Sequence, residues 1–276
     1  MQIKRKPEWL KVDLKSGSSY NFTSKILSDF SLTTVCTSAK CPNRGDCWAR
    51  KSAAFMILGK NCTRACRFCA VDHSTPLAPD PQEAERLAAA VRALGLKYVT
   101  ITSVTRDDLP DFGAAHWAGV IREVKRQNSD SKIEVLVPDF CGETALIDLV
   151  LNEKPDVFNH NLETVRELQK PIRGKADYET SLKVLAHAAA KNFRVKSGLM
   201  LGLGERGSQI KEALSDLRSA GVKILSLGQY ISPSPKHAPI DRWVSPEEFK
   251  DWKAFALSIG FEEVESAPLV RSSYRH

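Results

Sequence analysis

The sequence predicts an α/β fold, a partial (β/α)6 TIM-like barrel with an N-terminal extension and a C-terminal tail. Three observations carry this. Short apolar runs alternate with amphipathic helical stretches from residue 53 to residue 259, a pattern that demands right-handed crossovers and a parallel sheet with helices outside. Polar residues gather just after each apolar run, where the loops of such folds converge. At 276 residues and 42% hydrophobic, the chain can bury its core as one large domain.

In chain order, residues 1–50 read as an irregular extension, rich in Ser, Thr, Lys and Cys, with turn signals at Ser16-Gly17-Ser18 and Cys41-Pro42-Asn43-Arg44-Gly45. Six runs have strand length and apolar character: 53–58, 98–103, 133–137, 157–161, 194–200 and 224–231. Helical periodicity marks 82–94, 114–128, 143–152, 178–191 and 209–220 between them, and 246–259 after the last strand. Six units imply an open barrel rather than a closed eight-stranded one. The strand ends are followed by Asn61 and Cys62, by residues 103–108, by Asp139, by Asn159-His160-Asn161, by residues 201–205 and by Ser232-Pro233-Ser234.

No apolar run is long enough to cross a bilayer, and the basic start of the chain lacks the apolar stretch of a signal peptide. A cytoplasmic protein without membrane attachment is expected. A net charge of +7 favours an acidic partner. It is compatible with nucleic acid, but the basic residues are dispersed without interleaved aromatics, so no nucleic-acid partner is expected.

Six of the seven cysteines form two groups, Cys36, Cys41 and Cys47, then Cys62, Cys66 and Cys69, while Cys141 stands apart as a core or loop thiol. The odd count and absent secretory signal argue against a disulfide framework. Structural zinc is usually completed by paired Cys-x2-Cys or His units, whereas each group here offers three thiols. Three thiolates on a four-iron cluster leave one iron open to another ligand, the condition for a catalytic cluster.

The Cys62-x3-Cys66-x2-Cys69 spacing, with Phe68 before its third cysteine and its place directly after the first predicted strand, resembles the radical S-adenosylmethionine (SAM) superfamily. Cys36-x4-Cys41-x5-Cys47 resembles the auxiliary-cluster motif of lipoyl synthases. Similarity to that family continues through residues 102–109, 158–165, 197–205, Gly228-Gln229-Tyr230 and 268–274. The chain departs from the family's usual Gly-Gly at Phe112-Gly113, and it ends two residues after Tyr274 where many members continue.

The resemblance implies two 4Fe-4S clusters and SAM as cosubstrate. Cys62, Cys66 and Cys69 would hold the cluster whose open iron binds SAM; Cys36, Cys41, Cys47 and Ser273 would hold the auxiliary cluster. The auxiliary motif would belong to residues 1–50, the barrel to 51–260, and a tail closing on the auxiliary cluster to 261–276. The implied enzyme is a sulfurtransferase that cleaves SAM to a 5'-deoxyadenosyl radical and inserts sulfur from the auxiliary cluster at carbons 6 and 8 of a protein-bound octanoyl-lysine.

Its partners would be octanoylated lipoyl carrier domains (2-oxoacid dehydrogenase E2 subunits and the glycine cleavage H protein) and a reduced ferredoxin or flavodoxin type donor, with the enzyme a monomer. Asn161, Glu163 and Arg173 are candidates for SAM or substrate contacts, with no catalytic side chain expected beyond the clusters. Gly198, Gly202 and Gly204 permit close backbone approach to a ligand. A sulfur-inserting radical SAM enzyme acting on RNA and a non-enzymatic iron-sulfur electron carrier are the alternatives.

Overall fold

A computed structural model describes residues 5–12 and 17–273. Within them lie helices α1 (Ser18–Asp29), α2 (Val35–Ser38) and α3 (Arg44–Ala49), strand β1 (Ala54–Ile57), α4 (Glu83–Leu94), β2 (Tyr98–Ser103), α5 (Ala114–Gln127), β3 (Lys132–Leu136), α6 (Thr144–Asn152) and β4 (Val157–Asn159). There follow α7 (Arg166–Arg173), α8 (Tyr178–Ala190), β5 (Val195–Leu201), α9 (Gly207–Ser219), β6 (Ile224–Gln229), α10 (Pro246–Ser258) and β7 (Glu263–Ser266). The strands follow one another in chain order across a seven-stranded sheet, with β1–β2, β2–β3, β5–β6 and β6–β7 parallel. This is the α/β, open-barrel order that the alternation predicts.

Three features differ from the sequence reading. The extension is helical rather than irregular: α1 is polar, burying only Thr23 and Leu27, so its apolar stripe is too thin to read. Helix α7 contains Pro171, which breaks the expected pattern. Strand β7 buries only Val264 and carries Glu263 and Glu265, so it lacks a strand's usual apolar signal.

The chain clusters into two compact units. One comprises residues 13–65 and 70–158; the other comprises 1–12, Cys66–Cys69 and Asn159–His276. In the β1–β3 unit, Phe55, Ile57, Val99, Ile101, Ile133 and Val135 are buried, and α5 adds Trp117, Val120, Ile121 and Val124. Helix α4 packs on α5, α5 on α6, and α1 on α3. In the β5–β7 unit, Leu199, Leu201, Leu225 and Leu227 on the strands and Ile210, Leu214, Leu217 and Phe249 on the helices are buried.

Helix starts carry local signals. Thr34, Asp177 and Ser245 cap α2, α8 and α10 by accepting from the backbone N–H three residues on, and Pro246 occupies the first turn of α10.

Both strand groups also bury polar side chains, among them Thr100, Thr102 and Glu134 in one unit and Lys196, Ser197, Ser226 and Gln229 in the other. Buried polar groups are tolerated only with partners, so these strand faces are built around specific polar contacts.

Candidate cluster and cofactor site

In the β1–β3 unit, the loop after β1 is fastened to the carboxyl ends of two further strands. Cys62 N–H donates to the Asp72 carbonyl (2.7 Å), and the Cys62 Sγ accepts from Thr105 N–H (3.3 Å). Thr63 Oγ1 donates to the Thr105 carbonyl and accepts from Asp107 N–H, each at 3.0 Å. Arg64 is 8% exposed and forks onto two carboxylates. Its Nε and Nη2 reach Asp107 at 3.0 and 2.8 Å; its Nη1 and Nη2 reach Asp139 at 2.5 and 2.8 Å. Burial alone would lower the Arg64 guanidinium, but the hydrogen bonds to Asp139 and Asp107 carry it above its usual range. Asp139 also caps the turn that carries Cys141, an exposed loop thiol 3.7 Å from Arg64 Nη2.

The same unit gathers Cys36, Cys41 and Cys47. Cys36 lies on α2, Cys41 N–H donates to the Cys36 carbonyl (3.1 Å), and Cys47 lies on α3. The segment is held beside β1, since Met56 N–H donates to the Thr33 carbonyl (2.8 Å) and Thr34 bridges Phe55. Thr23 Oγ1 donates to the Trp48 carbonyl, tying α1 to α3.

Burial pushes the Cys36 thiol up; burial and then its neighbours Cys36 and Cys41 push Cys47 up to about 12. Two thiols that resist ionisation, Cys36 and Cys47, suit a cationic guest, which removes these penalties on binding. Among the described residues no three Cys, His, Asp or Glu side chains are drawn close enough to enclose a bare metal ion. Soft thiolate donors are the ligands that iron-sulfur clusters take, so the chemistry of the donor set fits such a cluster.

In the β5–β7 unit, Arg67 N–H donates to the Ile172 carbonyl (2.8 Å), and the Arg67 carbonyl accepts from Ala238 N–H (2.7 Å). Cys66 Sγ lies 3.8 Å from the Arg173 carbonyl. His237 Nε2 is 3.0 Å from the Cys69 carbonyl, its Nδ1 facing Ser234 Oγ at 2.8 Å. Phe68 packs against Ile172, Leu203, Tyr230 and Ala238, which gives the aromatic before the third cysteine its physical role.

Asn161, Glu163 and Arg173 come together in this unit. Asn161 Nδ2 donates to Glu163 Oε1 (3.0 Å). Glu163 has a left-handed backbone (φ 69°) and extends pairing along β5, its N–H donating to the Gly198 carbonyl. Burial pushes the Glu163 carboxyl up, opposed by Arg173 and Asn161. Arg173 Nη1 donates to the Leu162 carbonyl, Gln169 and Ser181, while its buried Nε has no partner among the described residues.

The glycine approaches at 198 and 202 are taken up by the chain itself. A Cβ on Gly202 would lie 2.3 Å from Gln229 Nε2, and one on Gly198 would lie 2.8 Å from Ser272 Oγ. Ser273 follows Ser272 in this same unit. Arg64, His237 and Lys196 escaped the sequence reading. The acidic run at Asp107 and Asp108 together with Asp139 was the only available sign of a buried cation.

The class follows from this cysteine loop after β1 and from a family model described as the Radical SAM superfamily, which matches residues 56–217. The crystal structure of Streptococcus suis SuiB shares the fold, with a TM-score of 0.62 at 11% identity over 82% of this chain and 54% of that one. Two curated relatives are closer in sequence. Lipoyl synthase from Alkaliphilus metalliredigens is 49% identical over 276 residues, 99% of this chain and 95% of the relative. Lipoyl synthase from Phocaeicola vulgatus is 46% identical over 270 residues, 98% of this chain and 95% of the relative. Within the radical SAM superfamily, the chain belongs to the lipoyl synthase family. It is therefore an enzyme of the class that uses a 4Fe-4S cluster and SAM. Among the described residues no helix is long and apolar enough to cross a membrane.

Proposed function

We propose that the enzyme inserts two sulfur atoms, at carbons 6 and 8, into an octanoyl chain amide-linked to a lysine of a lipoyl carrier domain. The observation that carries this reading is a second thiol triad, Cys36, Cys41 and Cys47, additional to the Cys62, Cys66 and Cys69 motif. An enzyme that only cleaves SAM needs one such set. The first triad with Ser273 would hold the auxiliary 4Fe-4S cluster and the second would hold the cluster that binds SAM. When bound, the clusters and SAM supply a radical route to unactivated carbon-hydrogen bonds and the sulfur that replaces hydrogen, chemistry that no protein acid or base can offer at neutral pH.

The chain's own residues position and exclude. Arg64 fixes the backbone between Cys62 and Cys66 by pairing with Asp107 and Asp139. The open Arg173 Nε suits the carboxylate of SAM, and the Glu163 carboxyl suits its ammonium. The net charge of +7 suits steering toward acidic carrier domains of the 2-oxoacid dehydrogenase E2 and glycine cleavage H type. A reduced ferredoxin or flavodoxin would supply electrons to a monomeric, cytoplasmic enzyme.

Paired variants test the assignment. Cys66→Ala abolishes release of 5'-deoxyadenosine from SAM, whereas Cys41→Ala keeps that release and leaves an octanoyl-lysine peptide without sulfur. Sulfur insertion by Cys41→Ala at the parental rate would overturn it.

A further inference from the structure

The sequence places Val270 to Ser273 in a tail expected to close on the auxiliary cluster, and in the β5–β7 unit this segment is seated on the strands. Lys196, in the second position of β5, is 3% exposed. A lysine so placed is costly unless its ammonium finds acceptors. One of them is the Ser272 carbonyl, which accepts from Lys196 Nζ at 2.5 Å. The Ser272 hydroxyl donates to Asn161 Oδ1 (2.8 Å), and the Asn161 amide is oriented by its own donation to Glu163.

Two glycines make room. Lys196 and Gly198 alternate onto one face of β5, and the β5–β6 register pairs Gly198 with Ser226 and Met200 with Gly228. A Cβ on Gly228 would lie 2.1 Å from the Val270 carbonyl oxygen, an impossible contact. Neither Gly198 nor Gly228 has a left-handed backbone, so glycine is required at both for space and not for torsion. The tail is led in by backbone pairing, with Gln229 N–H donating to the Pro268 carbonyl (3.2 Å) and Ala267 N–H to the Leu227 carbonyl (3.2 Å).

We propose that Lys196, with Asn161, Gly198 and Gly228, forms a clamp that positions the tail so that Ser273 is presented in one place. Lys196 is thus a positioning residue for cluster ligation, acting through the Ser272 carbonyl. This rests on the reading of Ser273 as the auxiliary cluster's fourth ligand, but the clamp has a readout of its own. Trypsin cuts after Arg271 only when the segment leaves its seat.

The experiment follows trypsin cleavage after Arg271 by mass spectrometry in the full chain. It is paired with electron paramagnetic resonance of the reduced auxiliary cluster in a Cys62→Ala, Cys66→Ala, Cys69→Ala protein reconstituted with iron and sulfide. Lys196→Met speeds the cleavage roughly tenfold or more, the factor that losing a charge-assisted hydrogen bond supports. Lys196→Arg keeps most of the protection. Gly228→Ala also speeds cleavage, by displacing Val270, and keeps the test open where Lys196→Met lowers the yield of folded protein.

The auxiliary-cluster spectrum changes in Lys196→Met as it does in Ser273→Ala. Parental cleavage rates in both Lys196→Met and Gly228→Ala overturn the clamp. Fast cleavage in those variants with a spectrum that Ser273→Ala leaves unmoved upholds the clamp and overturns Ser273 ligation, so the two ideas fail separately.

Discussion

Replacing Arg64 with Met leaves two carboxylates without their cation at the root of the cysteine loop. Side chains in this cluster are 7% exposed at Arg64, 3% at Asp139 and 19% at Asp107, so water cannot readily take the cation's place. Four charge-assisted contacts between 2.5 and 3.0 Å disappear together. Much of their gross strength only offsets the desolvation of three ionised groups, but removing one partner of such a buried cluster costs about 3–5 kcal/mol. In urea denaturation of the metal-free protein this appears as a midpoint lower by on the order of 1 M. Arg64→Lys recovers only part of the loss, because an ammonium cannot fork onto two carboxylates. A loss of unfolding free energy for Arg64→Met within about 1 kcal/mol, the size of a surface pair, would refute the claim that this cluster anchors the loop.

The remaining expectations concern the pH response and the packing of the site. Protonation of Glu163 stabilises the metal-free fold fully below its ordinary value of 4.5, and this is lost as pH rises through its higher folded value. Glu163→Gln therefore removes that alkaline-side decline; coincident melting-temperature profiles for parent and variant would contradict it. Glu248 has the opposite sign. Its carboxyl is lowered by the hydrogen bonds from Arg242, so its contribution is present above 4.5 and is lost as pH falls through the folded value. Glu248→Gln should flatten the acid limb of the same profile, and an unchanged limb would count against the pairing. Phe68→Ala empties a side chain packed on Ile172 and Tyr230, costing about 2–3 kcal/mol in denaturation, whereas a loss below about 0.5 kcal/mol would mean that the aromatic packs on nothing.

The strands from β1 to β6 were legible because parallel strands covered on both faces are written as continuous apolar runs, as in Ala54–Ile57, where all four residues are buried. Strand β7 was not, because its place is set by backbone pairing with β6 and one buried valine. The cysteine groups were legible because their members lie close together in sequence, at spacings that resemble known cluster motifs. Arg64 and Lys196 were not, since a lone cation reads as surface until the fold supplies Asp107, Asp139 and the Ser272 carbonyl. Phe112 marks the same limit. It adopts a left-handed φ of 53° where relatives were expected to carry glycine, a constraint visible only in the backbone.

The most direct test of the central claim is anaerobic. The protein is reconstituted with iron and sulfide, given SAM, a strong reductant and an octanoyl-lysine peptide, and peptide mass and 5'-deoxyadenosine are followed together. The account predicts a gain of two sulfurs with about two deoxyadenosines per product, since each carbon-hydrogen bond consumes one SAM. Deoxyadenosine released from a fully loaded protein while the peptide gains no sulfur would contradict it.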